Sequence, residues 1–134
     1  MTEERRVGVT GSRHASEFHR KRIRQAIEDA LPIDVLVHGG AAGADKIAGE
    51  IAAELGIRVE VHEAYWDRDG RAAGPLRNQR MVNAGAMAWL AFPMVAEENR
   101  GTWDCVRRAV NADVHVFVTP LAPRLVARLK VEPS

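Results

Sequence analysis

The chain has a single cysteine, Cys105, in 134 residues. One thiol excludes an internal disulfide framework and cannot build a cysteine-based zinc site. Lysine is scarce too: Lys21, Lys46 and Lys130 are the only ones, so arginine dominates the 19 basic residues. Against 18 acidic residues these leave a formal charge of +1, and a chain this close to neutral lacks the basic field that draws in nucleic acid. Aromatic residues are 5% of the total and form no evident aromatic–basic groove for a single strand. No apolar run approaches the roughly 20 residues of a membrane helix. The opening Met1 to Arg6 is charged and runs straight into a strand-like segment, unlike a signal peptide. A cytoplasmic protein is therefore expected, with no membrane partner and with nucleic acid an unlikely one.

What is present is an ordinary globular balance, 46% apolar and 28% charged. The length suits one domain over residues 1–134, with a core at 6–118 and a tail at 119–134. Five short apolar, β-branched-rich runs alternate with helix-like patterns: Arg6–Thr10, Asp34–His38, Arg58–His62, Ala88–Phe92 and Val114–Val118. The third alternates as a strand exposed on one face does, which places it near a sheet edge. Between the runs, Ile23, Ala26, Ile27, Ala30 and Leu31 share a helical face, and Ile47, Ala48, Ile51, Ala52 and Leu55 share another. Residues 63–75 read as a long loop before a helix over about Leu76 to Ala84. A further helix over Gly101 to Asn111 carries Trp103, Val106 and Val110 at i, i+3 and i+7. In the tail, Leu121, Leu125, Val126 and Leu129 suit one side of a short helix. This alternation predicts a Rossmann-like α/β domain, a mainly parallel sheet of about five strands with helices on both faces. In such sheets ligands bind outside the carboxyl ends of the strands, where the strand order reverses.

Three strand ends carry unusual residues. Gly11, Ser12 and Arg13 follow the first run. Gly39, Gly40, Gly43 and Asp45 lie in the small-residue stretch after the second, and Gly101, Thr102 and Asp104 follow the fourth beyond a loop. Small residues at a helix start let amides approach an anion, although the same stretch also suits a tight turn. The stretch is neither a P-loop nor the dinucleotide fingerprint, since both signatures are incomplete. Asp45 and Asp104 would repel phosphate but accept hydrogen bonds from ribose hydroxyls, or else they stabilise their own helices. Arg77 and Arg80, three apart and flanking Asn78, offer forks for phosphate or carboxylate, or form a solvated face. His14, His19, His38, His62 and His115 show no metal spacing, so no metal or cofactor is expected, and His38 is assigned to the pocket rim. Cys105 is read as a buried small hydrophobe, and Trp66 as the indole placed to stack on a base.

Taken in order, Gly-Ser-Arg at 11–13, His-Gly-Gly-Ala-Ala-Gly-Ala-Asp at 38–45, Ala-Gly-Pro-Leu-Arg-Asn-Gln-Arg-Met at 73–81, Ala-Phe-Pro at 91–93 and Arg-Gly-Thr-Trp-Asp at 100–104 resemble the SLOG superfamily, and within it the YspA/YpsA-like branch. The resemblance spans roughly residues 6–118. It implies a Rossmann-like sheet and a pocket for a nucleotide or nucleotide-derived small molecule, held by the strand-end residues named above together with Arg77, Asn78 and Arg80. A homodimer is a further implied partner. Relatives include the LOG enzymes, which hydrolyse the N-glycosidic bond of nucleoside monophosphates, and the DNA-processing protein A family. LOG enzymes carry Pro-Gly-Gly-x-Gly-Thr-x-x-Glu, whereas residues 98–105 here read Glu-Asn-Arg-Gly-Thr-Trp-Asp-Cys. Asp104 stands one position early, about 100° round a helix, and is the one catalytic candidate. The expectation is a stand-alone sensing or sequestering module, with LOG-like hydrolysis and single-stranded DNA binding as the alternatives.

Overall fold

The computed structural model describes residues 4–124. Its elements are β1 (Arg6–Gly11), α1 (Arg20–Asp29), β2 (Val35–His38), α2 (Ala44–Glu54), β3 (Arg58–Val61), α3 (Trp66–Asp69), α4 (Ala73–Ala84), β4 (Ala88–Phe92), α5 (Arg100–Asn111) and β5 (His115–Val118). The strands form one parallel sheet in the order β3-β2-β1-β4-β5. The chain winds outward from β1 through β2 to β3 and then returns to lay β4 on the other side of β1. That reversal opens a crevice at the carboxyl ends of β1 and β4.

The alternation within β1 sorts the two faces. Val7 and Val9 join one apolar cluster with Ile23 and Ile27 of α1 and Ile47 and Ile51 of α2. The other face holds Trp89, Val35 and Val37 against Met81 of α4 and Cys105 and Ala109 of α5. Gly8 pairs with Trp89 across the β1–β4 ladder, and a Cβ added at Gly8 would lie 2.5 Å from the indole ring. The largest side chain of the core therefore lies over a strand position that has none. At the β3 edge, Glu60 takes both guanidinium nitrogens of Arg6, at 3.0 and 2.6 Å, and Nε2 of His62 at 2.7 Å. These partners hold its carboxyl down at about 2.

Three sequence expectations need correction. Residues 63–75 are largely helical: α3 and a 3-10 turn at Gly70–Ala72 lead into α4, which starts at Ala73 rather than Leu76. Pro75 does not break it, because an amide in the first turn has no intrahelical acceptor to lose. The buried stripe of α5 is Thr102, Cys105 and Ala109, one position from the expected face, and Trp103 and Val110 are exposed. Small side chains let α5 lie close over the sheet, where an indole would hold it off. Leu31 lies beyond the end of α1 and is exposed. Of the expected tail helix, Leu121 is fully buried and bridges Met94, while Leu125, Val126 and Leu129 fall outside the described residues.

Gly8→Val should lower stability by about 1–3 kcal/mol, the usual range for overpacking a full core. Urea denaturation followed by circular dichroism measures this. A midpoint equal to that of the parent chain would contradict the packing of Trp89 on β1.

Candidate functional site

The crevice encloses a cavity of about 300 Å³. Its walls are the β1 turn (Gly11, Ser12, Arg13), Asp45 of α2, Arg77 and Asn78 of α4, and Gly101 and Thr102 of α5. Eight of the sequence candidates thus meet in one place.

Two of the walls are helix N-termini without side-chain caps. Gly43 begins α2 at φ +80°, where a Cβ would meet Ser12 O at 2.4 Å and Arg13 O at 2.6 Å. Its role is close packing: the β1 turn lies against it, and Ala44 N–H donates to Ser12 O at 3.0 Å. At the start of α5, Asn99 is left-handed at φ 54° and turns its side chain away from the helix. That amide bonds both backbone groups of Met94, and Glu97 O, each at 2.8 Å. The first intrahelical bond of α5 is Trp103 N–H to Asn99 O, so the amides of 100–102 have no intrahelical acceptor. Both termini bring partial positive charge to the cavity.

Asp45 is the most unusual side chain of the site. It is 5% exposed, and its Oδ2 accepts from Gly39 N–H at 3.0 Å and Ala41 N–H at 3.3 Å. Its Oδ1 is buried and has no partner among the described residues. Burial pushes its pKa up to about 6, against the opposing pull of the Ala41 and Gly39 amides and the charge of Arg77. An orphaned carboxylate oxygen on a cavity wall is an acceptor without a donor.

Asp104 has the opposite environment. Its Oδ1 takes Arg107 at 2.7 Å, and its Oδ2 takes Arg108 at 2.9 Å and Asn78 at 3.0 Å. Burial opposes its ionisation, but the bonds from Arg108 and Asn78 and the charges of Arg108 and Arg107 outweigh it and hold the carboxyl below its usual range. Asp104 borders a second, outer groove of about 630 Å³ rather than the cavity. Trp66 and Trp103 line the same groove.

Arg77 and Asn78 line the cavity and also tie its walls together, whereas His38 and Arg80 lie away from it. Arg77 Nη1 donates to Gly39 O, and Arg77 Nε donates to Asn78 Oδ1 at 2.9 Å. Asn78, 3% exposed, ties α4 to Gly101 O at 3.2 Å. Gly40 N–H donates to His38 Nδ1 at 2.9 Å, on the far side of the β2 turn. His38 lines a shallow groove with Lys46 and Gly49 instead of the pocket rim, and burial and the charge of Arg77 lower its pKa. Arg80 lies outside the crevice. It donates to Glu63 O at 2.7 Å and lies 4.7 Å from the Tyr65 ring centroid. The helix α4 starts at the carboxyl edge, so three residues carry Arg80 most of a turn away from it.

Sequence reasoning missed Asn99, although a polar residue just before a helix is a recognisable signal. It also missed the pair at the mouth, His14 Nδ1 to Glu97 Oε1 at 2.7 Å, which joins two loops with no pattern of their own. Cys105 is buried as expected, and burial pushes its thiol up to about 12. Among the described residues no group of three or more His, Cys, Asp or Glu is placed to hold a metal ion, and no helix is long and apolar enough to cross a membrane.

A parallel sheet in this order, with a crevice at its switch point, makes this a Rossmann-like α/β protein. The chain belongs to the YspA, cpYpsA-related SLOG family, whose model matches residues 5–68. The Gene 61 protein of Mycobacterium phage D29 is 42% identical over 122 residues, which cover 84% of this chain and 94% of that protein. Among solved structures, DNA processing protein A (DprA) from Streptococcus pneumoniae shares the fold at a TM-score of 0.52 and 16% identity. That match covers 85% of this chain and 58% of the DprA chain.

The Asp45 carboxyl sets a pH test. Its folded pKa near 6 lies above the unfolded value of about 4. As pH rises the unfolded chain releases this proton first, so the contribution to stability is complete below about pH 4 and is lost by about pH 6. Asp45→Asn should remove that fall, which is on the order of 3 kcal/mol at 1.36 kcal/mol per unit. Denaturant melts of both chains between pH 4 and pH 7 measure it, and parallel curves would refute it.

Proposed function

We propose that the crevice binds a nucleotide or nucleotide-derived small molecule and holds it without turnover, as a sensing or sequestering module. The observation that carries this reading is the buried, unpartnered Oδ1 of Asp45 on the wall of a cavity that also receives two uncapped helix N-termini. Free amides and Arg13 and Arg77 suit a phosphate. A lone carboxylate oxygen beside them suits a sugar hydroxyl, which phosphate alone does not offer. A volume of about 300 Å³ is at the small end for ligand sites.

The saturation of Asp104 supports binding over hydrolysis. A carboxylate held by Asn78, Arg107 and Arg108 outside the cavity has little left with which to stabilise a developing oxocarbenium ion. N-glycoside hydrolysis is the second reading, and Asp45, the carboxylate that does line the cavity, would then carry it. Release of free base from nucleoside monophosphates by the parent chain, abolished in Asp45→Asn, would establish that reading instead.

Mass spectrometry of denatured, freshly purified protein should reveal a co-purified phosphorylated nucleoside. In calorimetry a nucleoside monophosphate should bind more tightly than inorganic phosphate or a free base. Arg77→Ala should weaken that binding by roughly 1.5–3 kcal/mol, the range for a charged hydrogen bond. Arg80→Ala should leave it unchanged, since Arg80 is engaged by Glu63 and Tyr65. Equal affinity in parent and Arg77→Ala would remove the anion site.

A further inference from the structure

We infer that the ligand carries a planar aromatic group that lies outside the cavity, in the outer groove, against Trp66 and Trp103. This rests on the nucleotide reading of the crevice and adds to it a direction, with phosphate and sugar inside and base outside.

The chain has three tryptophans, and the structure treats them differently. Trp89 is 1% exposed in the core, whereas Trp66 is 54% exposed and Trp103 41%. An indole left in water forgoes one of the largest burial gains available to a side chain. Trp66 opens α3 and Trp103 sits in the first turn of α5, yet both line the same groove. Trp66 is braced on α4, its Cη2 3.4 Å from where a Cβ would stand at Gly74.

The groove and the cavity adjoin. Arg13, Arg77, Asn78, Arg100 and Gly101 belong to the lining of both. Gly101 stands where the two meet, and a Cβ added there meets no heavy atom within 4 Å. Among the described residues neither Arg13 nor Arg77 forms a salt bridge within 4.0 Å, and Arg77 is held by Gly39 O and Asn78 Oδ1, so two guanidinium groups stand at the seam without a paired carboxylate. Asp45, whose Oδ1 is buried and has no partner among the described residues, lines the inner compartment. Acceptor and amides inside, cations at the seam and indoles outside follow the order of hydroxyl, phosphate and ring chemistry in a nucleoside monophosphate. The inner walls are half polar, whereas the outer groove is mostly apolar and better suited to a ring.

The test compares AMP, UMP and ribose 5-phosphate by calorimetry on the parent chain and on Trp66→Ala, Trp103→Ala and Trp66→Phe. Both indoles are at the surface, so the variants should keep the parent melting curve. Stacking adds roughly 5- to 150-fold to the affinity for a base. The nucleotides should therefore bind at least tenfold more tightly than ribose 5-phosphate to the parent chain. Each alanine variant should lose most of that advantage and keep its ribose 5-phosphate affinity within twofold, and Trp66→Phe should retain it. Nucleotides binding the alanine variants as they bind the parent chain would overturn the placement of the base and leave the nucleotide reading intact. Equal affinity of AMP and ribose 5-phosphate for the parent chain would do the same. Failure of all three probes to bind would overturn both. Preferential, salt-sensitive binding of a thymidine oligonucleotide over the mononucleotides would overturn the free nucleotide as occupant.

Discussion

The contact between the β1 turn and Gly43, the residue that leads into α2, governs the carboxyl edge of the sheet. Gly43 has no side chain and a left-handed backbone, so the carbonyls of Ser12 and Arg13 approach to distances no Cβ would allow. That approach brings Ala44 N–H onto Ser12 O and fixes the start of α2 against the central strand. Asp45 is then one residue into the helix and directly beneath the β2 turn. There it gathers the amides of Gly39 and Ala41 with one oxygen. The glycines of this stretch are therefore mostly structural. They do not touch the cavity themselves but hold in place the residues that do.

The two aspartates show how similar sequence positions acquire different chemistry. Both follow small residues in the sequence and both are mostly buried, but Asp45 is the second residue of α2 and Asp104 the fifth of α5. Asp104 lies where α5 carries Arg107 and Arg108 on the next turn and where Asn78 arrives from α4, so every lone pair facing the protein is taken. Asp45 has only backbone donors, and these reach a single oxygen. A carboxylate that neighbours satisfy is a girder. One that they leave half satisfied is a binding group, because only an incoming molecule can complete it.

The sheet and its switch point were legible because strands and helices differ in period, and because Gly11, Gly39 and Gly101 punctuate the strand ends. The gathering of Ser12, Arg13, Asp45 and Thr102 followed from those strand ends, and that of Arg77 and Asn78 from the helix after Gly74-Pro75. What could not be read was rotation about helix axes. In α5 the apolar pattern of Trp103, Val106 and Val110 competed with the small stripe of Thr102, Cys105 and Ala109. Closeness to the sheet, rather than apolarity, decided between them. The separation of Arg77 from Arg80 depended on where α4 begins, and Ala72, Ala73 and Gly74 carry no capping signal to mark it. The Asn99 side chain was out of reach for a different reason. Its partners, Met94 and Glu97, lie in a loop whose path is set by tertiary contacts.

Cys105 sits on the buried face of α5, between the sheet and the cavity, with its thiol pushed up to about 12. At neutral pH it is neither ionised nor reachable, so an electrophile finds no nucleophile while the helix stays seated. Any alkylation must follow a separation of α5 from β1 and β4. The rate of labelling in native buffer therefore counts openings of one particular layer of the molecule, without an introduced probe. Because α5 also presents its first-turn amides to the cavity, an occupant that bridges α5 to the β1 turn would slow that clock. The lone thiol thus gives the protein a built-in meter of how firmly its two halves are clasped.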